Sequence, residues 1–116
     1  MAKLTVNEEH NENTDDGFMM ITFSCWGEKA TSAQAVEEVN RQSEAFLAEL
    51  KNLGFDISRV SLPQTRVRDC SYKNTPQFCA WQKMRFCTNF DMEFLDKLVD
   101  VIQDDRYNAE LEIDFL

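Results

Sequence analysis

The chain has 116 residues, of which 43% are hydrophobic and 28% are charged, so it is long enough to fold as one domain around its own core without a metal or a disulfide. Its 21 acidic and 12 basic residues give a formal net charge of -9 at pH 7, which argues against a general role in gripping phosphate backbones because the long-range field repels them. No run of about eighteen apolar residues occurs, which argues against a transmembrane helix.

The first 17 residues predict a short strand followed by an acidic loop. Residues 3–6 alternate weakly between apolar and polar types, and residues 7–17 contain no apolar residue, which is typical of a solvated loop. His10 lies in this loop with no nucleophile or orienting carboxylate marked out around it, so we interpret it as an exposed loop residue. We assign residues 1–17 to this extension and residues 18–116 to the core of a single domain.

Residues 18–26 predict the first core strand, because they are rich in β-branched and aromatic types and are too few for an independent helix. Alternation places Met19, Ile21, Phe23 and Cys25 on one face, which is the better core face. The other face carries Met20 and Trp26 among its members, which are Phe18, Met20, Thr22, Ser24 and Trp26.

Residues 31–54 predict a long amphipathic helix. Its apolar residues recur at helical spacing and form one stripe, made of Val36, Val39, Phe46, Leu47, Leu50 and Leu53. Thr31 is expected to cap the first turn, with Gln34 returning the bond as in a capping box. Gly54 is expected to supply the left-handed residue that ends the helix.

Residues 57–69 and 78–90 predict two strands joined by a hairpin turn. In the first, Pro63 cannot donate to a ladder, so we expect an edge strand with a bulge or bend near residues 62–63. In the second, Ala80, Met84 and Phe86 are expected on the core side, and Trp81 faces the other way with Lys83, Arg85 and Cys87.

The last part of the chain predicts a helix and a strand. Asp91 is expected to cap a helix over residues 92–105. Residues 109–116 alternate cleanly, with Leu111, Ile113 and Phe115 inward and the acids Glu110, Glu112 and Asp114 outward.

This order of elements predicts an α+β fold, a two-layer sandwich with a ferredoxin-like βαββαβ core, an extra short N-terminal strand, and two helices on one face of an antiparallel sheet. The strands that begin at Phe18 and Phe78 are expected at the centre. The strands that begin at Ile57 and Ala109 are expected at the edges.

Several of these segments together resemble the SIMPL-domain family, named for a signalling molecule that interacts with a pelle-like kinase and widespread in bacterial envelope proteins. The segments are AVEEVN at 35–40, LKNLGF at 50–55, Tyr72, FCA at 78–80 and MRFCTNFDMEFLDKLVDVI at 84–102. The resemblance implies an exported protein more often than not, ring-like or channel-like oligomers, and a link to oxidative-stress tolerance. It supplies no catalytic residue.

The sheet face opposite the helices is the main candidate for an interface. Nine residues are the candidates: Met20, Trp26, Trp81, Arg66, Arg68, Lys83, Arg85, Glu110 and Glu112. An uncovered face bearing the tryptophans and Met20 would expose apolar area, which usually marks an interface. The basic residues 59–69 and the acidic residues 110–114 could also pair as edge strands between subunits, or their charges could simply solubilise the edges.

The four cysteines show no CxxC pair, and the chain has one histidine, so we expect no metal site and no cofactor. Cys70 and Cys79 flank the hairpin turn and could form a disulfide if the protein is exported, whereas two free thiols are expected in the cytosol. The chain as given predicts a cytoplasmic protein, or a periplasmic or secreted one if a signal peptide has been removed.

Taken together, the sequence predicts a non-catalytic domain that acts by self-association or by binding another protein. Scattered carboxylates without a convergent base argue against an enzyme. The alternative is binding of single-stranded nucleic acid or a small ligand on the exposed sheet face, where aromatic residues lie among basic ones. Nucleic acid is the less favoured partner, since residues 77–86 lack the glycines of the usual RNA-recognition strand and the net charge opposes binding.

Overall fold

The computed structural model describes residues 3–7 and 17–115, which form a two-layer α+β sandwich. Within these ranges there are five strands, two α-helices and one short 3-10 helix. In chain order they are β1 (Lys3–Asn7), β2 (Phe18–Lys29), α1 (Ser32–Asn52), the 3-10 helix (Ile57–Arg59), β3 (Gln64–Asp69), β4 (Phe78–Asn89), α2 (Met92–Ile102) and β5 (Ala109–Phe115). The predicted acidic loop, including His10, lies outside the described residues apart from its two ends.

The strand order in the sheet is β1-β5-β2-β4-β3, and its last four members have the ferredoxin-like order. This confirms the predicted α+β fold class. β1 pairs with β5 in parallel while the other pairs are antiparallel, so the sheet is mixed. The expectation that the strand beginning at Ala109 lies at an edge was wrong, because β1 occupies its outer side.

Helix α1 forms where the apolar period and the caps agree. The Thr31 hydroxyl accepts a hydrogen bond from the Gln34 amide at 3.1 Å, and Gly54 takes the left-handed conformation with φ +88°. The caps predicted at Thr31 and Gly54 are confirmed, whereas the returning bond from the Thr31 amide to the Gln34 side chain is not present. The buried stripe contains Val39, Phe46 and Leu50, and the ring of Phe46 stacks on Phe23 at 4.1 Å between centroids. The two layers therefore meet at an aromatic contact.

The core lies between the helices and one face of the sheet. Met19, Ile21, Phe23 and Cys25 of β2 are fully buried, as the alternation predicted. They lie with the inward residues of β4 and β5, which include Ala80, Met84, Phe86, Leu111 and Ile113. Burying such a side chain stabilises the fold by roughly 1.5–3 kcal/mol.

β2 continues three residues past its predicted end, because its ladder with β4 runs on to the pair Lys29↔Phe78. Gly27 allows this extension to pass under α1. A β-carbon on Gly27 would lie 2.8 Å from Glu38 Cγ, so any larger residue would push the helix or the strand aside.

The strand predicted over residues 57–69 begins only after Pro63, and this prediction was wrong in its first half. The Asp56 carboxylate accepts hydrogen bonds from the Ser58 amide at 3.0 Å and from the Ser58 hydroxyl at 2.7 Å. These bonds turn residues 57–59 into a 3-10 helix in place of the predicted strand. Ser61 then bonds to Arg85 through both backbone and hydroxyl. Proline lacks the next ladder donor, so the regular strand starts at Gln64.

Candidate self-association surface

The sheet face that points away from the helices is called the open face here. Its described residues come from alternate positions of the five strands. They include Lys3 and Thr5 of β1, Glu110, Glu112 and Asp114 of β5, Phe18, Met20, Thr22, Ser24, Trp26 and Glu28 of β2, Cys79, Trp81, Lys83, Arg85, Cys87 and Asn89 of β4, and Gln64, Arg66 and Arg68 of β3. All nine predicted interface residues lie on it.

One side of the open face is acidic. Glu110, Glu112 and Asp114 follow one another along β5 and form what we call the acidic strip. All three are half-buried. Glu110 accepts a hydrogen bond from the Thr5 hydroxyl at 2.8 Å, which fixes its carboxylate against β1. The strip is thus an ordered feature of the sheet.

The other side is basic. Lys83 and Arg85 of β4 form what we call the basic strip, and Arg66 and Arg68 of β3 lie beyond it toward the hairpin. All four side chains are exposed. None of them joins an ion pair in the part of the chain that the structure describes. These cations are therefore available to an external anion.

The central strand separates the two strips and sets their register. Ser24 pairs with Glu110 on one side and with Lys83 on the other. Thr22 pairs in the same way with Glu112 and Arg85. Each row thus runs from acid through a small hydroxyl residue to a cation, with both charges one strand away from β2.

Apolar side chains lie toward the two ends of the central strand. Trp26 pairs directly with Trp81, and Trp81 keeps 39% of its surface exposed. Trp26 and Met20 are half-buried, so less of them is exposed than the uncovered face led us to expect. Aromatic side chains with a partly buried ring are common anchors of interfaces.

A shallow groove of about 460 Å³ runs beside Trp81 at the basic side of the open face. The side chains that line it from this face are Ser24, Gln64, Arg66, Arg68, Trp81 and Lys83. The groove therefore combines one aromatic surface with three cations.

Strand addition at β5 is not available, because β5 is paired on both sides, with β1 and with β2. The hypothesis that this acidic strand pairs edge to edge with the basic strand of a second subunit was built on the wrong topology. The described edge strands are β1 and β3.

The hairpin between β3 and β4 is closed by a disulfide between Cys70 and Cys79, whose Cα atoms lie 6.2 Å apart. Lys73 and Asn74 at its tip have positive φ angles. At its base the Ser71 hydroxyl and amide donate to the Asp69 carboxylate, at 2.6 and 2.9 Å, and hold the pKa of Asp69 below its usual range. The hairpin is a braced extension of the sheet.

The two remaining cysteines are free and differ in exposure. Cys25 lies in the core, where burial raises the pKa of its thiol to about 11 although a hydrogen-bonding contact with Ser43 opposes the shift. Cys87 is exposed on the open face. Among residues 3–7 and 17–115 no group of three or more potential ligands could hold a metal ion.

The candidate surface contains residues that the sequence reasoning did not single out. Thr22 and Ser24 have short side chains, so the centre of the open face projects less from the sheet than the rows of charged side chains beside it. Their positions on β2 alternate with the core residues, and this alternation was the signal available. Gln42 was also missed. It is buried, and its amide joins the ends of β2 and β5 behind the surface.

Comparisons with known proteins give no family for this chain. No protein-family model matches it, and no curated protein matches it. A solved structure of the de novo designed protein Foldit4 is similar at 15% identity over 87% of this chain and 97% of that one, with a TM-score of 0.34. A putative amidohydrolase/peptidase from Burkholderia cenocepacia is similar at 9% identity over 87% of this chain and 27% of that one, with a TM-score of 0.35.

Neither likeness is close enough to carry an argument about function. The SIMPL resemblance remains a prediction from the motifs. No helix in the described part of the chain has both the length and the apolar character needed to cross a bilayer.

Proposed function

We propose that this chain is a SIMPL-like, non-catalytic domain that acts by self-association through the open face. The observation that carries the proposal is the division of that face into an acidic strip and a basic strip, on either side of the uncharged segment 20–26 of the central strand. A face of this kind complements a second copy of itself. Complementary charge selects the partner and orients it more than it adds raw affinity.

The proposal is tested by the mass of the protein in solution across a concentration series. Size-exclusion chromatography with light scattering should give a mass that rises from 13.5 kDa toward twice that value as the concentration increases. A mass that stays at the monomer value up to about 1 mM would overturn the proposal, since such a Kd corresponds to only about 4 kcal/mol.

Two matched aromatic substitutions locate the association on the open face. Trp81→Ala should raise the dissociation constant by at least about tenfold, because a half-exposed tryptophan within an interface is a common anchor. Tyr72→Ala removes another exposed ring, in the hairpin beyond the paired strands β3 and β4, where Tyr72 is 69% exposed. It should leave association unchanged.

A second candidate function is binding of a single-stranded nucleic acid or a small anionic ligand in the groove beside Trp81. Three cations around one exposed aromatic ring favour it. The acidic strip on the same face opposes a long polyanion. Quenching of tryptophan fluorescence by a short single-stranded oligonucleotide at 0.15 M salt, without change in protein mass, would favour this candidate over self-association.

The disulfide supports an extracytoplasmic location, because structural disulfides persist in oxidising compartments and are rare in the cytosol. An envelope role linked to oxidative-stress tolerance is proposed from the SIMPL resemblance alone. Fractionation of cells that express the gene, with antibody detection, tests the location directly.

A further inference from the structure

We infer that two copies of this chain stack their open faces about a twofold axis that runs parallel to β2 and midway between the two sheets, so that the acidic strip of each copy covers the basic strip of the other. This inference rests on the self-association proposed above and adds its geometry. The occupant of the open face is therefore a second copy of the same chain.

The axis direction follows from where the charges lie. β5 and β4 flank β2 on opposite sides, each about 4.8 Å away. A twofold rotation about β2 exchanges the two sides, so β5 of one copy lies over β4 of the other. A twofold axis across the strands would instead lay β5 over β5 and bring like charges together, which disfavours that arrangement.

The register along the strands agrees with this axis. Rotation about β2 leaves each residue at the same height along the strand. Glu110 and Lys83 share the height of Ser24, so Glu110 lies over the partner's Lys83. In the next row Glu112 lies over the partner's Arg85, since both share the height of Thr22. One dimer thus contains four opposite-charge contacts.

Residues of β2 face their own copies across the axis. Thr22 and Ser24 at the centre are small, which allows the two sheets to approach to the usual spacing of about 10 Å. Trp26 and Met20 lie at the ends of this central row. An interface in which the same patch serves both copies is the isologous type that closed dimers use.

The size of the open face indicates a reversible dimer. Five strands about 4.8 Å apart and a paired length of seven residues at about 3.3 Å each give about 550 Å² for each copy. Two such faces bury at most about 1,100 Å², which is below the range of stable specific complexes and within that of weak, transient ones.

Arg66 and Arg68 provide an internal control. They lie on β3, one strand farther from the axis than the basic strip, and at the height of Trp81 and Cys79. The twofold rotation lays β3 of one copy over β1 of the other, so these arginines face β1 and not the acidic strip of β5. The arrangement therefore places these two arginines outside the overlap of opposite strips.

Charge reversal with complementation tests the arrangement. Glu110→Lys with Glu112→Lys makes both strips basic, and Lys83→Glu with Arg85→Glu makes both acidic. Each double variant alone should dimerise at least about tenfold more weakly than the original chain, because it faces its own charge. An equimolar mixture of the two should form a heterodimer within about threefold of the original affinity, as should the four-substitution homodimer.

The control variant is Arg66→Glu with Arg68→Glu, which changes the charge by the same amount as the Lys83 and Arg85 variant. It should change the dissociation constant by less than about threefold, because its residues lie outside the overlap. Circular dichroism of every variant checks that it is folded. If a double variant does not fold, the four-substitution chain still tests the pairing.

A crosslinking experiment is independent of charge. In a Cys87→Ser background, Ser24→Cys places one thiol on the axis, opposite its own copy. A short bis-maleimide should join the two copies, and crosslinking from Cys87 of the unmodified chain should be much weaker because that residue lies off the axis on β4.

The outcomes separate two failures. A chain that is monomeric throughout overturns both the self-association and this geometry. If the chain dimerises but its charge-reversed variants do not complement one another, the geometry is overturned and self-association stands. The same holds if the Arg66 and Arg68 variant dimerises as weakly as the Lys83 and Arg85 variant.

Discussion

At the scale of single residues, Gln42 shows how a buried polar group organises the chain. Its side-chain amide donates to the Trp26 carbonyl at 3.0 Å, and its carbonyl accepts from the Asn108 amide at 2.7 Å. The side chain is fully buried. Gln42 therefore connects α1 to the end of β2 and the start of β5. Its side chain there bonds to the backbone carbonyl of Trp26 and the backbone amide of Asn108.

Gln42→Ala should lower the free energy of unfolding by about 1–3 kcal/mol, because it removes two hydrogen bonds that a fully buried side chain makes to the Trp26 carbonyl and the Asn108 amide. Urea denaturation followed by circular dichroism measures this. The matched control is Gln103→Ala at the exposed end of α2, which should change stability by less than about 0.5 kcal/mol. Equal effects of the two substitutions would argue against the role given to Gln42.

The buried thiol of Cys25 should make stability depend on pH in the alkaline range. Burial raises its pKa from 9.0 to about 11, so the folded state holds a proton that the unfolded state has lost. Stability is therefore fully present below about pH 9 and is lost as the pH rises toward 11, by at most about 2–3 kcal/mol. Burial also raises the pKa of Tyr107, which adds a loss of the same sign.

The Cys25 contribution is isolated with Cys25→Ala. The difference in unfolding free energy between this variant and the original chain should shrink as the pH rises from 8 to about 11. Only the original chain loses the stability that comes from its protonated thiol. Val39→Ala is the control, since it truncates another buried side chain without removing a titratable group. The difference in unfolding free energy between Val39→Ala and the original chain should stay constant with pH. A constant difference for Cys25→Ala would contradict the role given to its thiol.

Core residues were predictable where one alternation or one period decided them. Met19, Ile21, Phe23 and Cys25 follow from period two alone. The burial of Gln42 and Tyr107 was not predictable from the sequence. Polar side chains are buried where the tertiary structure supplies hydrogen-bond partners or ring contacts, and those partners are distant in sequence. Tyr107 packs edge-on against Phe23 and Phe46, which no local pattern specifies.

At the scale of elements, α2 begins at a cap whose contribution is measurable. The Asp91 carboxylate accepts bonds from the Glu93 amide at 3.0 Å and the Phe94 amide at 3.3 Å. Asp91→Ala should lower the free energy of unfolding by about 1 kcal/mol, whereas Asp91→Asn should preserve it because asparagine caps equally well. Thermal unfolding monitored by circular dichroism provides the comparison.

Asp100 on the same helix gives the control for this prediction. It lies near the end of α2, where the helix dipole disfavours a negative charge. Asp100→Ala should therefore leave stability unchanged or raise it slightly. A loss equal to that of Asp91→Ala would mean that the cap contributes nothing specific.

The hairpin disulfide should stabilise the fold by restricting the unfolded chain. Cys70 and Cys79 are nine residues apart, and closing a loop of that length contributes about 2–3 kcal/mol in the chain-entropy model. Replacing both by serine should lower stability by that amount, measured by urea denaturation. Cys87→Ser is the control, and reduction of the original chain should reproduce the double variant.

Elements with a local signal were predicted, and those decided by competition between signals were not. Thr31, Gly54 and Asp91 mark helix ends whatever the tertiary structure, and all three were identified. The first half of the predicted third strand failed because the cap formed by Asp56 and Ser58 outcompeted a strand whose next donor was a proline.

At the scale of the whole molecule, the candidate surface was predicted in composition but not in arrangement. The sequence indicates which residues share the open face, since alternation fixes the side. It does not indicate that β1 covers β5, because residues 3–6 alternate only weakly. The division into an acidic and a basic strip depends on strand order, which long-range pairing determines.

Net charge and local charge should act in opposite directions on association. The chain has a formal net charge of -9, and its two shorter dimensions are 28 and 23 Å. At 0.01 M salt the Debye length of about 30 Å exceeds these dimensions, so two copies repel as whole bodies. At 0.15 M it falls to about 8 Å, which removes this repulsion while contacts between the strips persist.

The dissociation constant should therefore pass through a minimum at intermediate salt. At about 1 M the Debye length of about 3 Å weakens the contacts themselves. Sedimentation velocity at salt concentrations from 0.01 to about 1 M measures this. Association that weakens steadily from the lowest salt would show that whole-body repulsion is unimportant, and association that strengthens up to the highest salt would show that opposite charges do not hold the dimer.

The parallel pairing of β1 with β5 has a consequence for the order of folding. Lys3 pairs with Glu110 and Leu4 with Leu111, so this contact closes a loop of more than one hundred residues. Loop-closure entropy opposes such a contact until the rest of the sheet exists. β1 also carries little buried surface, since Leu4 and Val6 remain 38% and 45% exposed. Its amides should exchange with deuterium through a local opening far below the global unfolding free energy, and it should join the sheet last.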